Sequence, residues 1–165
     1  MEDGVSASTV LVGIVAGVGG AVISTMLRIG YEREENLRHR LITAADEFST
    51  ALTQALLEFN DAYEWLKKGA VSHVASALDD GRTAMNDAHT RLGRVELLFG
   101  DESKAGHAAI DAMIKLRQAC TILSEVSSTD ELGGYTEAYD GAHGCHLMFC
   151  RAVRSDIRPW WKRRR

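Results

Sequence analysis

A chain of 165 residues with one proline, 45% hydrophobic and 25% charged content suits a single helical domain with one modest core. Its three cysteines, Cys120, Cys145 and Cys150, lack the number and spacing of a disulfide framework and read as free thiols in a reducing compartment. The formal net charge of -4 conceals an asymmetry: residues 41–150 hold 8 Lys/Arg against 17 Asp/Glu, whereas residues 151–165 hold 7 against 1.

The first predicted element is a membrane span at residues 9–30, preceded by a short extracytoplasmic segment at 1–8. No charge occurs from Val5 to Leu27, and about 20 apolar residues suffice to cross a hydrocarbon core. Glycines 13, 17, 19 and 20 would weaken a helix in water but are tolerable in lipid. The start Met1-Glu2-Asp3-Gly4 lacks the positive n-region of a cleaved signal, so an uncleaved anchor is expected. Arg28, Arg33, Arg38 and Arg40 follow the span and no Lys or Arg precedes it, which places the N-terminus outside and the rest in the cytoplasm. Gly13, Gly17 and Ala21 form a small-residue face through which two such helices could pair as a homodimer.

After a charged stalk at residues 31–40, amphipathic helices separated by short breaks are predicted over 41–157, and the class is all-α. The first helix has an apolar stripe of Leu37, Leu41, Ala45, Phe48, Leu52, Ala55, Phe59, Tyr63 and Leu66, and Lys67-Lys68-Gly69 stops it. The second carries Val71, Val74, Leu78, Met85, Ala88, Leu92, Val95 and Phe99 up to Gly100. Asp101 or Ser103 can cap the third, whose stripe is Ala109, Met113, Leu116, Cys120 and Leu123. The fourth runs from about Glu131 to Ile157 with Leu132, Tyr135, Tyr139, Ala142, His146, Phe149 and Val153 inward, and Pro159 ends it. Connections this short force antiparallel neighbours, so the expected fold is a transmembrane helix continuing into an up-down-up-down four-helix bundle. A coiled-coil oligomer of the longest helix is the alternative.

In that topology the C-terminus returns toward the bilayer, carrying Trp160, Trp161, Lys162, Arg163, Arg164 and Arg165 in a tail at 158–165. Two interfacial aromatics and four consecutive cations suit an anionic membrane surface. A solvated tail is the bland reading, and the acidic body argues against nucleic acid.

One constellation carries metal-ligand residue types: His143, His146 and Cys150, three and four residues apart on the fourth helix, with Cys120 available from the third. Against it, His146 falls in an apolar stripe where a hydrogen-bonded core histidine is commoner, and a di-iron bundle would need glutamates that this chain does not place. No cofactor is expected and no catalytic residue is assigned. His89 reads as a boundary residue, Trp65 as an aromatic closing the distal end of the bundle, and Asp79-Asp80 as a solvated face.

Tyr31-Glu-Arg-Glu34 in the stalk, Val95-Glu-Leu-Leu-Phe-Gly100 at a helical turn and Arg151-Ala-Val-Arg-Ser-Asp-Ile157 near the end complete the layout. With its glycine-rich span, the chain resembles a loose class of uncharacterised actinobacterial single-pass membrane proteins with a cytoplasmic helical bundle. The resemblance implies an anchor in the cell membrane and a helical domain, and no activity. The expected function is a membrane-tethered, non-enzymatic interaction or scaffold module for an unknown protein partner. A metal- or haem-binding redox or sensor bundle is the alternative.

Overall fold

The computed structural model describes the backbone of residues 7–100, 102–125 and 132–157, and side chains from residue 30 onward within those ranges. Four helices account for nearly all of it: α1 (Ala7–Lys67), α2 (Val71–Phe99), α3 (Lys104–Glu125) and α4 (Gly133–Asp156). Among the described residues there is no strand. The chain divides into two compact units, residues 1–39 and 40–165. Within the first, residues 30–39 are helical and exposed throughout. Among the described residues no helix is long and apolar enough to cross a membrane. The backbone of the span expected at 9–30 is helical, but its side chains up to residue 29, those of Gly13, Gly17 and Ala21 among them, lie outside the described ones.

The second unit is a helical bundle whose turns are written in its glycines and one serine. Gly69 adopts φ +71°, its N–H bonds to Leu66 O at 3.0 Å, and Ala70 N–H bonds to Trp65 O at 3.1 Å. This pair of reversed bonds closes α1 with a left-handed residue that only glycine adopts without strain. Gly100, at φ +82°, ends α2 through a bond from its N–H to Glu96 O at 2.9 Å. Ser103 then starts α3, its Oγ accepting the Gly106 N–H at 2.8 Å, so of the two possible caps the serine fills the role. Asp101 lies outside the described residues.

The contacts between helices run in opposite chain sense at every seam. Between α1 and α2, Glu47 meets Arg94 at 2.7 Å and Phe59 lies on Gly81. Between α2 and α3, Arg82 Nη2 donates to Ser124 Oγ at 2.9 Å and Arg117 Nη2 to His89 Nδ1 at 3.1 Å. Between α3 and α4, Ile122 approaches Gly134 and Lys115 lies against Gly141. Between α4 and α1, Phe149 packs edge-on against Phe48 at 5.1 Å and Tyr135 stacks on Tyr63 at 4.9 Å. In each pair the lower number on one helix meets the higher on the next, which makes all four seams antiparallel. The bundle's start of α1 at Arg40, the α2–α3 turn and the last turn of α4 therefore share one end. The α1–α2 turn and the start of α4 form the other.

The core follows the stripes with informative departures. Phe48, Leu52, Phe59, Leu116, Leu123, Tyr135 and Phe149 are its largest buried side chains. Alanine fills much of the rest, with Ala105, Ala108, Ala109, Ala112 and Ala119 all buried on α3. Such small residues let helix backbones approach closely, which explains why a stripe sparse in leucine still makes a closed interior. Leu37 and Val71, both read as inward, are exposed. Leu37 belongs to the first unit, whose residues 30–39 are exposed throughout. Val71 opens α2 before the first turn meets a neighbour. Trp65 does not close the core: it lies on the outside of the α1–α2 turn, stacked on His73 at 4.8 Å with Lys68 Nζ 5.0 Å from its ring.

Candidate functional site

The residues with chemical potential gather at the seam between α1 and α4. Heptad spacing from Ile42 through Ser49 to Leu56 and Tyr63 puts Ser49 at the margin of the α1 stripe. There it faces the corresponding margin of α4. Ser49 Oγ and His146 Nε2 share a hydrogen bond of 2.7 Å, and Cys150 Sγ lies 3.9 Å from the same oxygen. All three residues are half-buried. Burial holds the His146 imidazole below its usual range, and the charge of His143 one turn earlier adds to the effect. The neutral ring is thereby favoured, with Nε2 committed to Ser49.

His146 is thus a histidine satisfied by a hydroxyl, as one of the two sequence readings expected, although it is at the margin of the core and not within it. His143 points away and is exposed, and Cys120 is buried on α3. Cys145 faces the α3 side, where burial first and Asp111 second push its thiol up, with Lys115 opposing them. Of the four residues considered as metal ligands, His146 and Cys150 share the α1 seam at Ser49, whereas His143 is exposed and Cys120 is buried on α3. Among the described residues no group of three or more His, Cys, Asp or Glu side chains is placed to hold a metal ion.

The Ser49–His146 pair has the separation of a nucleophile and its base, but nucleophilic catalysis asks for more. A third group would orient the imidazole, and free N–H donors would stabilise a developing oxyanion. Both residues sit in helix interiors, where backbone N–H groups are already engaged in the helical ladder. Chemically the arrangement can join two helices. Sequence reasoning missed Ser49; its only signal is a polar residue recurring at the heptad step of an otherwise apolar edge.

A shallow groove between α1 and α2 is lined by Ala51, Gln54, Glu58, Asp80, Thr83, Ala84 and Asp87. Two of its carboxylates are occupied, Glu58 by Gln54 Nε2 at 2.6 Å and Asp87 by Arg91 Nε at 2.9 Å. At the opposite end from that of Trp65, Leu97 is 81% exposed, and Lys104 at the start of α3 and Arg151 and Arg154 near the end of α4 are exposed as well. Trp160, Trp161, Lys162, Arg163, Arg164 and Arg165, which continue the chain from this end, lie outside the described residues. Comparison with protein families, with characterised proteins and with solved structures finds no match for this chain.

Proposed function

We propose that the chain is a single-pass, membrane-tethered helical module that works by binding a protein partner and not by catalysis, with its bundle on the cytoplasmic side. The observation that carries this reading is the shared end of the bundle. Residues 1–39 join it at Arg40 and residues 158–165 leave it after Ile157, and the antiparallel seams bring Arg40 and Ile157 to the same end. The segment that carries an apolar stretch without charge from Val5 to Leu27 and the tail of two tryptophans and four cations thus join the bundle at the same end. Arginines 28, 33, 38 and 40 favour retention of this side in the cytoplasm. The Gly13, Gly17, Ala21 face supports a homodimer within the bilayer.

Membrane fractionation tests the reading. The full chain should stay with floated membranes after alkaline carbonate extraction, and a chain lacking residues 1–30 should be released at high salt. Release of the full chain by carbonate alone would sink the proposal.

A further inference from the structure

The outward side of α4 carries a pattern that the bundle does not use. Glu137, Asp140, Gly144, Leu147, Arg151 and Arg154 recur at alternating steps of three and four residues, the spacing of a helix seam, yet Gly144 is half-buried and the others are exposed. They lie opposite the buried row of Tyr135, Ala138, Ala142, Phe149 and Val153. Leu147 is 45% exposed and Met148, beside it, 51%. Gly144 weakens the middle of the helix, and a Cβ there would meet nothing within 4 Å, so no neighbour inside the bundle requires glycine. Among the described residues none of the four charged side chains has an ion-pair or hydrogen-bonding partner, in contrast with Glu47, Arg91 and Arg94 at the α1–α2 seam.

The order of these residues fits a second copy of the same face. When two such helices run antiparallel about a two-fold axis, the seam positions meet in reversed order. With the axis at the level between Cys145 and His146, Gly144 of one copy faces Leu147 of the other, Asp140 faces Arg151 and Glu137 faces Arg154, and each match recurs on both sides of the axis. Leu147 then enters the notch that Gly144 leaves open, Met148 covers its flank, and every charge meets its opposite. Parallel pairing would set each charge against its like. Gly93 and Leu97 on α2 are as open, but no such match of charges surrounds them, since Arg94 is already held by Glu47.

We infer that the outer face of α4 is a homodimer contact, in which two bundles pair antiparallel through Gly144 and Leu147, with Asp140–Arg151 and Glu137–Arg154 ion pairs to either side. The inference goes beyond the tethered reading and does not rest on it, because every residue in the contact belongs to the bundle. Reversed pairing puts the two Arg40 ends at opposite ends of the pair. A bundle standing end-on to the bilayer is therefore unpaired, and pairing requires bundles that lie along the surface.

A contact this short makes a weak pair, so covalent trapping reads it better than mass. In detergent, the full chain with Cys145→Ala and Cys150→Ala is prepared as Asp140→Cys and as Arg151→Cys; Cys120 stays buried. Oxidation of the two mixed should give a 140–151 disulfide about fivefold or more above the 140–140 and 151–151 products of each alone. Equal yields of the three, or an excess of either like product, overturns the inference. Charge exchange gives a second readout with the native cysteines in place. Asp140→Arg and Arg151→Asp should each lose self-capture between tagged and untagged chains, and the two mixed should regain it, since every facing pair at these positions is again opposite in sign. A mixture that captures no better than either variant alone overturns it; pairing through the anchor contributes equally to all three samples. Failure of the full chain to float with membranes removes the tethered reading and leaves this one standing.

Discussion

Two polar side chains, one inside the core and one at its margin, show how burial sets the behaviour of single residues. Tyr135 is 2% exposed, and its hydroxyl has no hydrogen-bond partner among the described residues. Burial, with Tyr139 and Tyr63 adding to it, pushes its phenol far above the ordinary range, so it stays neutral at any physiological pH. An unpartnered buried hydroxyl costs stability that its ring does not need, because stacking on Tyr63 at 4.9 Å is a property of the ring. Tyr135→Phe should therefore raise the stability of the solubilised chain by about 1 kcal/mol in thermal unfolding; a clear loss would show that the hydroxyl is satisfied. His146 gives a pH effect of definite sign. Its folded pKa is lowered, so the unfolded chain binds the proton more readily, and stability falls as pH drops below about 6.5 toward the folded value. Unfolding compared at pH 7.5 and 5.5 should show a smaller loss in His146→Gln, which retains a partner for Ser49, than in the unsubstituted chain.

At the scale of the element, the glycine that matters most to packing is not one that ends a helix. Gly81 lies inside α2, where its lack of a side chain is a disadvantage of about 1 kcal/mol relative to alanine in a free helix. Phe59 explains it. A Cβ at Gly81 would lie 2.6 Å from Phe59 Cε1 and 2.7 Å from Cδ1, and that ring is fully buried and has no open direction to move. Overpacking should exceed the helix-propensity gain, so Gly81→Ala is expected to lose about 1–2 kcal/mol. Gly93, on the same helix with nothing within 4 Å, is the internal comparison: Gly93→Ala should gain stability. Equal effects at the two sites, read from urea midpoints, would remove the close α1–α2 approach as the cause. The ion pairs of Arg91 and Arg94 with Glu47 at the same seam are exposed and add roughly 0–1 kcal/mol, so they set register more than strength.

For the whole molecule, the consequence of four antiparallel seams is a division of labour between ends. The end bearing residues 1–39 and the tail is directed to the bilayer in the proposed function, and the acidic end with Trp65 and His73 is presented away from it. In a chain lacking residues 1–30, binding to phosphatidylglycerol vesicles should persist through the tail and fade as salt rises, since the screening length of about 8 Å at physiological ionic strength shortens further. Replacing residues 162–165 with serine should abolish most of that binding in co-sedimentation. Equal sedimentation of the two versions would make the tail a solvated end.

Much of the helical architecture was legible in the chain, because three- and four-residue apolar spacing and glycine stops are local properties. Phe48, Leu52, Phe59, Met113, Leu116 and Phe149 could be assigned inward from spacing alone, and Gly69, Gly100 and Ser103 marked the turns. The same local pattern misplaced Leu37 and Val71, since it cannot show where a neighbouring helix packs. It also put His143, His146 and Cys150 on one side of α4, where spacing of three and four residues is enough to suggest convergence. The neighbour decided otherwise: α1 brings Ser49 to His146 and Cys150 and leaves His143 to solvent. Close approach at Gly81 and the unpartnered hydroxyl of Tyr135 were likewise decided only by packing, because each depends on a residue far away in sequence, Phe59 for the one and the α1–α4 seam for the other.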